Sequence, residues 1–386
     1  MAFDLSKIVR PKIYNLEPYR CARDDFKEGI LLDANENAHG PTLRDVGPES
    51  QLHRYPDPHQ IEFKTRMANL RNAGSIYKDQ NIPPLTAENI CLGVGSDESI
   101  DALIRALCVP GQDKILILTP TYGMYSICAD INDVEVVKCP LVVEDNSFQI
   151  DTLKVIETLQ NDPFIKLVYI TSPGNPTGAY IESERLEAVL CNWQNGFVVV
   201  DEAYIDFCSK GGSAAPLVNK FPNIAVLQTL SKSFGLAGVR LGVTFTSKPF
   251  SRVLNAMKAP YNISGLTSEL ALKALEPENV AIMQSKVKEI VNERQRVLDA
   301  LTSLENIEDQ QVGGLDANFI LVRIKGGDND LAKKLYYKLA TESGVVTRFR
   351  GTEYGCAGSL RITIGTPKEN DILIREFKKT LSDLTR

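Results

Sequence analysis

Seven short runs rich in β-branched residues, separated by helical periodicity, constrain this chain more than any other feature. They fall at residues 90–94, 114–119, 135–139, 166–171, 197–200, 224–227 and 240–245. Between them apolar residues recur three and four apart. A helix beginning at Asp97, for example, places Ile100, Leu103, Ile104 and Leu107 on one face. Strands that are apolar almost throughout do not suit a sheet with one wet face. They suit a mostly parallel sheet covered by helices on both sides, an α/β fold. In such sheets ligands collect beyond the carboxyl ends of the strands, so the loops that follow the runs are where chemistry is to be sought.

After about residue 265 the pattern changes. A long helical stretch over 277–304 carries alternating charges and reads as a connector. Strands at 319–324, 345–350 and 360–364 follow, interleaved with helices at 328–343 and 367–384. The expected organisation is an N-terminal arm over 1–30, a large domain over 31–265 and a smaller α/β domain over 266–386. The segment 72–88 is polar with two prolines and reads as a surface loop.

Composition excludes several classes. The formal net charge over 386 residues is -6, which argues against the basic stripe of a nucleic-acid binder. No apolar run approaches membrane-spanning length, and the first residues lack the apolar core of a secretory signal. The eight cysteines show no C-x-x-C spacing and read as reduced, mostly buried side chains of a cytoplasmic protein. With three histidines, all between positions 39 and 59, no metal site is expected.

The strand-end loops each admit a bland reading and a chemical one. Thr229 to Arg240 places Lys232 in a Ser/Gly-rich turn, with Arg240 eight residues on. Lys232 can be a loop lysine with its head in water and Arg240 a surface ion-pair partner. Alternatively, desolvation and nearby cations keep Lys232 unprotonated. It is then able to hold an aldehyde while Ser231 and Arg240 hold a phosphate, the two groups of pyridoxal phosphate. Ser96 and Asp97 after the first run are either helix caps or part of an anion seat at a helix N-terminus. Tyr122 either packs in the core or stacks on a flat ring. Asn175 lies in Ser172-Pro-Gly-Asn-Pro-Thr-Gly178, a turn sequence that also suits hydrogen bonding to a ring hydroxyl. Asp201, directly after four apolar residues in Asp201-Glu-Ala-Tyr204, needs a partner if it is buried. A protonated ring nitrogen is one.

The motifs S-P-G-N-P-T-G, D-E-A-Y and S-K-S-F-G-L-A-G-x-R, in this order and spacing, resemble class II aminotransferases of the aspartate aminotransferase fold (fold type I pyridoxal-phosphate enzymes). The resemblance spans almost the whole chain. Residues 15–19, 32–37, 54–57, 120–125 and 360–366 are similar to the histidinol-phosphate aminotransferase subgroup. Where members of that subgroup usually carry Pro after N-E-N, this chain has Ala38-His39. The resemblance implies that Lys232 carries the cofactor aldehyde and then serves as the base. It implies that Asp201 holds the ring nitrogen, Asn175 and Tyr204 the ring hydroxyl, and Tyr122 the ring face. Ser96, Asp97, Ser231 and Arg240 would seat the cofactor phosphate, joined by Tyr55 across a homodimer interface. Tyr19, Asn35, Arg348 and Arg361 would face the substrates, histidinol phosphate and glutamate or 2-oxoglutarate. Two other readings share Lys232 and Asp201: an aromatic amino-acid aminotransferase and a phospho-amino-acid decarboxylase. A third is a non-catalytic ligand-binding module, which the complete residue set argues against.

Overall fold

A computed structural model describes residues 3–25 and 28–386; positions 1, 2, 26 and 27 of the expected arm lie outside the described residues. The seven runs form one sheet: β1 (Ile90–Val94), β2 (Lys114–Thr119), β3 (Glu135–Pro140), β4 (Ile165–Thr171), β5 (Phe197–Asp201), β6 (Ile224–Thr229) and β7 (Leu241–Thr246). Their spatial order is β1-β7-β6-β5-β4-β2-β3. Strands β2 to β6 pair in parallel, whereas β7 is antiparallel to both β6 and β1. The reversal has a consequence for function. It brings the start of β7, and Arg240 before it, beside the carboxyl ends of β1 and β6, where Val94 pairs with Leu241 and Thr229 with Gly242.

Successive side chains of a strand point to opposite faces, and here each face has its own core. Val168, Ile170, Val198, Val200 and Val226 join one cluster. Leu167, Tyr169, Phe197, Val199 and Ala225 join the other. This two-sided burial is why the strands show no polar alternation. Each fully buried Val, Ile or Leu contributes about 1.5 to 3 kcal/mol. The helix Gly95–Leu107 buries Ile100, Leu103, Ile104 and Leu107, the face expected from sequence, and starts two residues earlier than expected.

The remaining strands, β8 (Phe319–Arg323), β9 (Arg348–Phe349) and β10 (Ser359–Thr363), form an antiparallel sheet in the order β8-β10-β9. The helix Pro277–Thr302 leads into this sheet, and the helices Asn329–Glu342 and Pro367–Thr385 pack with it. The strand expected over 345–350 is shorter because it is an edge: only Arg348 and Phe349 pair with β10.

Two expectations are refined. Segment 72–88 is mostly exposed, as a surface loop should be, but it is anchored at two points. Asn72 bonds both the N–H and the C=O of Leu85, at 2.9 and 3.0 Å, and Tyr77 and Leu85 are buried. The N-terminal residues are not only an arm. Short helices Leu5–Ile8 and Pro11–Tyr14 flank Val9, which is buried in the core beneath the large sheet, and the Arg10 N–H donates to Ala106 O at 3.0 Å. No helix among the described residues is long and apolar enough to cross a membrane. Among those residues no cluster of three His, Cys, Asp or Glu could hold a metal ion, and all eight cysteines are free.

Candidate active site

β5, the central strand, ends on Asp201, whose carboxylate is buried at the carboxyl end of the sheet. It accepts a hydrogen bond from the Tyr125 hydroxyl at 2.7 Å and from the Ala203 N–H at 3.1 Å. Burial nevertheless dominates and raises it above the ordinary carboxylate range. A buried carboxylate with no cation in direct contact is a strong attractor for a protonated ring nitrogen.

β6 runs into the loop that carries Lys232. Thr229 fixes the turn: its hydroxyl donates to Ser231 Oγ at 2.9 Å and accepts the Ser231 N–H at 3.1 Å. Lys232 Nζ lies 5.7 Å from the centre of the Tyr204 ring. Desolvation, then the nearby Arg361 and Arg240 cations, lower the Lys232 amine from its ordinary range. The side chain opens onto the cavity, so water screens part of this effect. On the far side of the loop, Ser233 donates to Asp206 Oδ2 at 2.5 Å. Asp206 pairs with Arg71 at 2.6 Å, and Arg71 Nε donates to Gln228 Oε1 at 2.7 Å. Gln228 Nε2 in turn donates to Glu202 at 2.8 Å. One buried polar chain thus joins the residue after Lys232 to the residue after Asp201.

An anion cradle lies at the start of the helix Gly95–Leu107, whose first N–H groups have no intrahelical partner. Gly95 has φ +75°, and a Cβ there would lie 2.3 Å from Arg240 Nη2. A Cβ at Gly242 would lie 2.4 Å from Gly95 C. Both glycines are therefore required for the guanidinium to reach the helix start. Asp97 holds that guanidinium at 3.4 Å and accepts from the Tyr122 hydroxyl at 3.1 Å.

Opposite stand residues from two sheets. Asn175, buried in the turn after β4, accepts from Arg361 Nη1 at 2.5 Å. Arg361 of β10 stacks 5.3 Å from the Phe319 ring, and Tyr204 meets the same ring edge-on at 5.2 Å.

These parts enclose a cavity of about 300 Å³. It is lined by Ser96, Asp97, Tyr122 and Asn175, by Asp201 and Tyr204, and by Ser231, Lys232, Arg240 and Arg361. Four residues expected at the site do not line it. Arg348 is exposed, directly across from Arg361 in the sheet. Asn35 is exposed, with φ +56°. Tyr19 and Tyr55 are 54% and 51% exposed and flank Tyr261, Tyr55 stacking on it at 4.5 Å. Tyr55 is held by its N–H donating to Glu36 at 2.6 Å. Glu36 also pairs with Arg23 and Arg54, which together bring its carboxyl down to about 2.

Three further residues at the site were assigned no role from the sequence. Tyr125 sits on the buried face of its helix and signals only packing. Thr171, bonded to the Tyr125 hydroxyl at 3.0 Å, ends a strand. Arg350 lines the cavity; its signal was its place two residues after Arg348, on the same strand face.

The donor set fits pyridoxal phosphate: an amine whose charged form is disfavoured, a buried carboxylate, a ring-edge amide, and a cradle closed to side chains at Gly95 and Gly242. The profile of the family "Aminotransferase class I and II" matches residues 27–377. A histidinol-phosphate aminotransferase of Saccharomyces cerevisiae is 66% identical over 385 residues, covering 100% of this chain and 99% of that protein. One from Candida maltosa is 53% identical over 397 residues, covering 100% of both. Among solved structures, the histidinol-phosphate aminotransferase from Sinorhizobium meliloti in complex with pyridoxal-5'-phosphate superposes with a TM-score of 0.75. It shares 22% identity and is matched over 91% of this chain and 90% of that one, a likeness of fold. The chain belongs to the class I and II aminotransferases and, within them, to the histidinol-phosphate aminotransferase family.

Proposed function

We propose that this protein is a pyridoxal-phosphate-dependent histidinol-phosphate aminotransferase. It moves an amino group between histidinol phosphate and 2-oxoglutarate by a ping-pong reaction in histidine biosynthesis. The observation that carries the reading is the meeting of Lys232, Asp201, Arg240 and Arg361 in one cavity. When bound, pyridoxal phosphate supplies an aldehyde that takes up the amino group and a ring that accepts the electron pair released at the substrate carbon.

The chain's own residues do the rest. Lys232 Nζ, whose charged form burial and the Arg361 and Arg240 cations disfavour, accepts the proton from the substrate carbon and returns it to the carbon that the cofactor aldehyde supplies. Asp201 keeps the ring nitrogen protonated; each pKa unit by which it does so corresponds to about 1.4 kcal/mol. Asn175 and Tyr204 hold the ring hydroxyl and Tyr122 the ring face. Ser96, Asp97, Ser231 and Arg240 seat the cofactor phosphate. Arg361 takes the substrate anion; Arg348, its register partner, and Tyr19 and Asn35 lie outside this cavity, and only the resemblance assigns them to the substrates.

Tyr55 is exposed and outside its own cavity, which supports a role at the cavity of a second copy in a homodimer. The eight free cysteines support a reducing, cytoplasmic setting. The test is transfer to 2-oxoglutarate from histidinol phosphate against transfer from phenylalanine. Histidinol phosphate is expected to win clearly, and a preference for phenylalanine would overturn the substrate assignment.

A further inference from the structure

β9 and the residue after it carry arginines at alternate positions. Arg348 and Arg350 project from one face of the strand, while Phe349 between them packs into the core of the small sheet. Arg361 is the register partner of Arg348 on β10, which puts it on that same face. Arg350 continues the ladder beyond β9 by donating its N–H to Ser359 O at 2.9 Å. Three guanidiniums therefore share one sheet face, and Arg350 and Arg361 line the cavity that holds Lys232.

Arg350 is only partly engaged. Its Nη1 donates to Glu353 Oε1 at 2.7 Å, with each side chain 23% exposed. Its Nε is buried without a hydrogen-bond partner, as is the Nε of Arg361. A guanidinium has five N–H donors spread over more than one edge, so Glu353 leaves donor capacity over. The Arg350 charge is felt at both Arg361 and Tyr204. Two cations this close oppose one another until an anion joins them. A phosphate monoester carries a charge of about -1.5 to -2 at pH 7, against -1 for a carboxylate.

We propose that Arg350 selects the phosphorylated amino donor: with Arg361 it provides the second positive charge a phosphate dianion requires, whereas a carboxylate is served by Arg361 alone. The inference rests on the functional reading above. Glu353 is the internal counter-ion that holds Arg350 in place while the cavity contains a carboxylate substrate.

The two half-reactions, run on the cofactor-loaded enzyme, separate the outcomes. In R350Q, KM for histidinol phosphate should rise about tenfold or more with kcat little changed, the size of one charge-assisted hydrogen bond. Inhibition by inorganic phosphate should weaken in parallel, while KM for glutamate stays within about threefold. R350K should regain part of the loss. In the wild type, KM for histidinol phosphate should fall as pH rises through the second phosphate ionisation near about 6, and R350Q should flatten that profile. If R350Q does not fold, E353Q decides: freeing an edge of Arg350 should tighten inhibition by inorganic phosphate. Equal losses in both half-reactions, an unchanged KM in R350Q, or unchanged phosphate inhibition in E353Q would overturn the role of Arg350. A wild type that ignores histidinol phosphate but uses another donor would overturn the functional reading instead, and phosphate inhibition would still judge Arg350.

Discussion

Lys232 and Asp201 have opposite problems that one cofactor resolves. Burial and neighbouring cations make the lysine a poor cation, and burial makes the aspartate a poor anion. Replacing Lys232 with Ala removes the proton carrier, and turnover should fall by about a thousandfold or more with the thermal transition preserved. Normal turnover in that variant would exclude the role. Asp201→Asn removes a buried ion-pair partner for the ring, a loss of about 3 kcal/mol, or about a hundredfold in rate. Cofactor should still bind, which its visible absorbance would report. Glu202 makes a prediction about pH. Burial pushes its carboxyl up from 4.5 to about 7 despite bonds from Ser213, Ala214 and Gln228. A carboxyl raised in the fold contributes stability at low pH that is lost as pH rises through its folded value. Between about pH 5 and 8 the wild type should therefore lose about 2 to 3 kcal/mol through this group. Glu202→Gln should flatten that decline in urea unfolding measured at both pH values. An unchanged slope would mean that Glu202 titrates normally.

At the scale of elements, the site depends on β7 running against its neighbours and on two glycines that let its leading arginine reach a helix start. Gly95→Ala should weaken cofactor binding by about tenfold or more while the fold survives, because the new Cβ meets a guanidinium rather than the core. Titrating apo-protein with pyridoxal phosphate measures this; unchanged affinity would mean that Arg240 is not part of the seat. The strands and the face of the helix Gly95–Leu107 were legible in the sequence because two-sided burial leaves an unmistakable apolar run. The loops carrying Lys232, Asp201 and Asn175 were legible because their motifs are specific. What stayed hidden has physical reasons. The reversal of β7 is set by pairing, which apolar periodicity does not encode. Val9 and Tyr77 are buried residues of segments too short and too interrupted to show a helical or strand period. Arg350 lies past the end of a two-residue edge strand, where alternation has almost no length to show itself.

For the whole molecule, the cavity draws on both sheets: Asn175 of the large one touches Arg361 of the small one, and Phe319 backs both Arg361 and Tyr204. We propose that the chain divides into the arm, large and small units read from its sequence, and that the arm and Tyr55 serve a second copy. If so, Tyr55→Ala and Lys232→Ala, each poorly active alone, should recover roughly a quarter of wild-type activity when refolded together. Half of randomly paired dimers are mixed, and each mixed dimer has one intact site. No recovery would place Tyr55 outside the shared site. The central claim is the identity of the reaction, and one spectrum addresses it directly. Cofactor-loaded protein mixed with histidinol phosphate, without 2-oxoglutarate, should lose the visible absorbance of the lysine-linked cofactor. Stoichiometric pyridoxamine phosphate should appear, and 2-oxoglutarate should restore the starting spectrum. An unchanged spectrum with histidinol phosphate, alongside conversion by an amino donor that carries no phosphate, would contradict it.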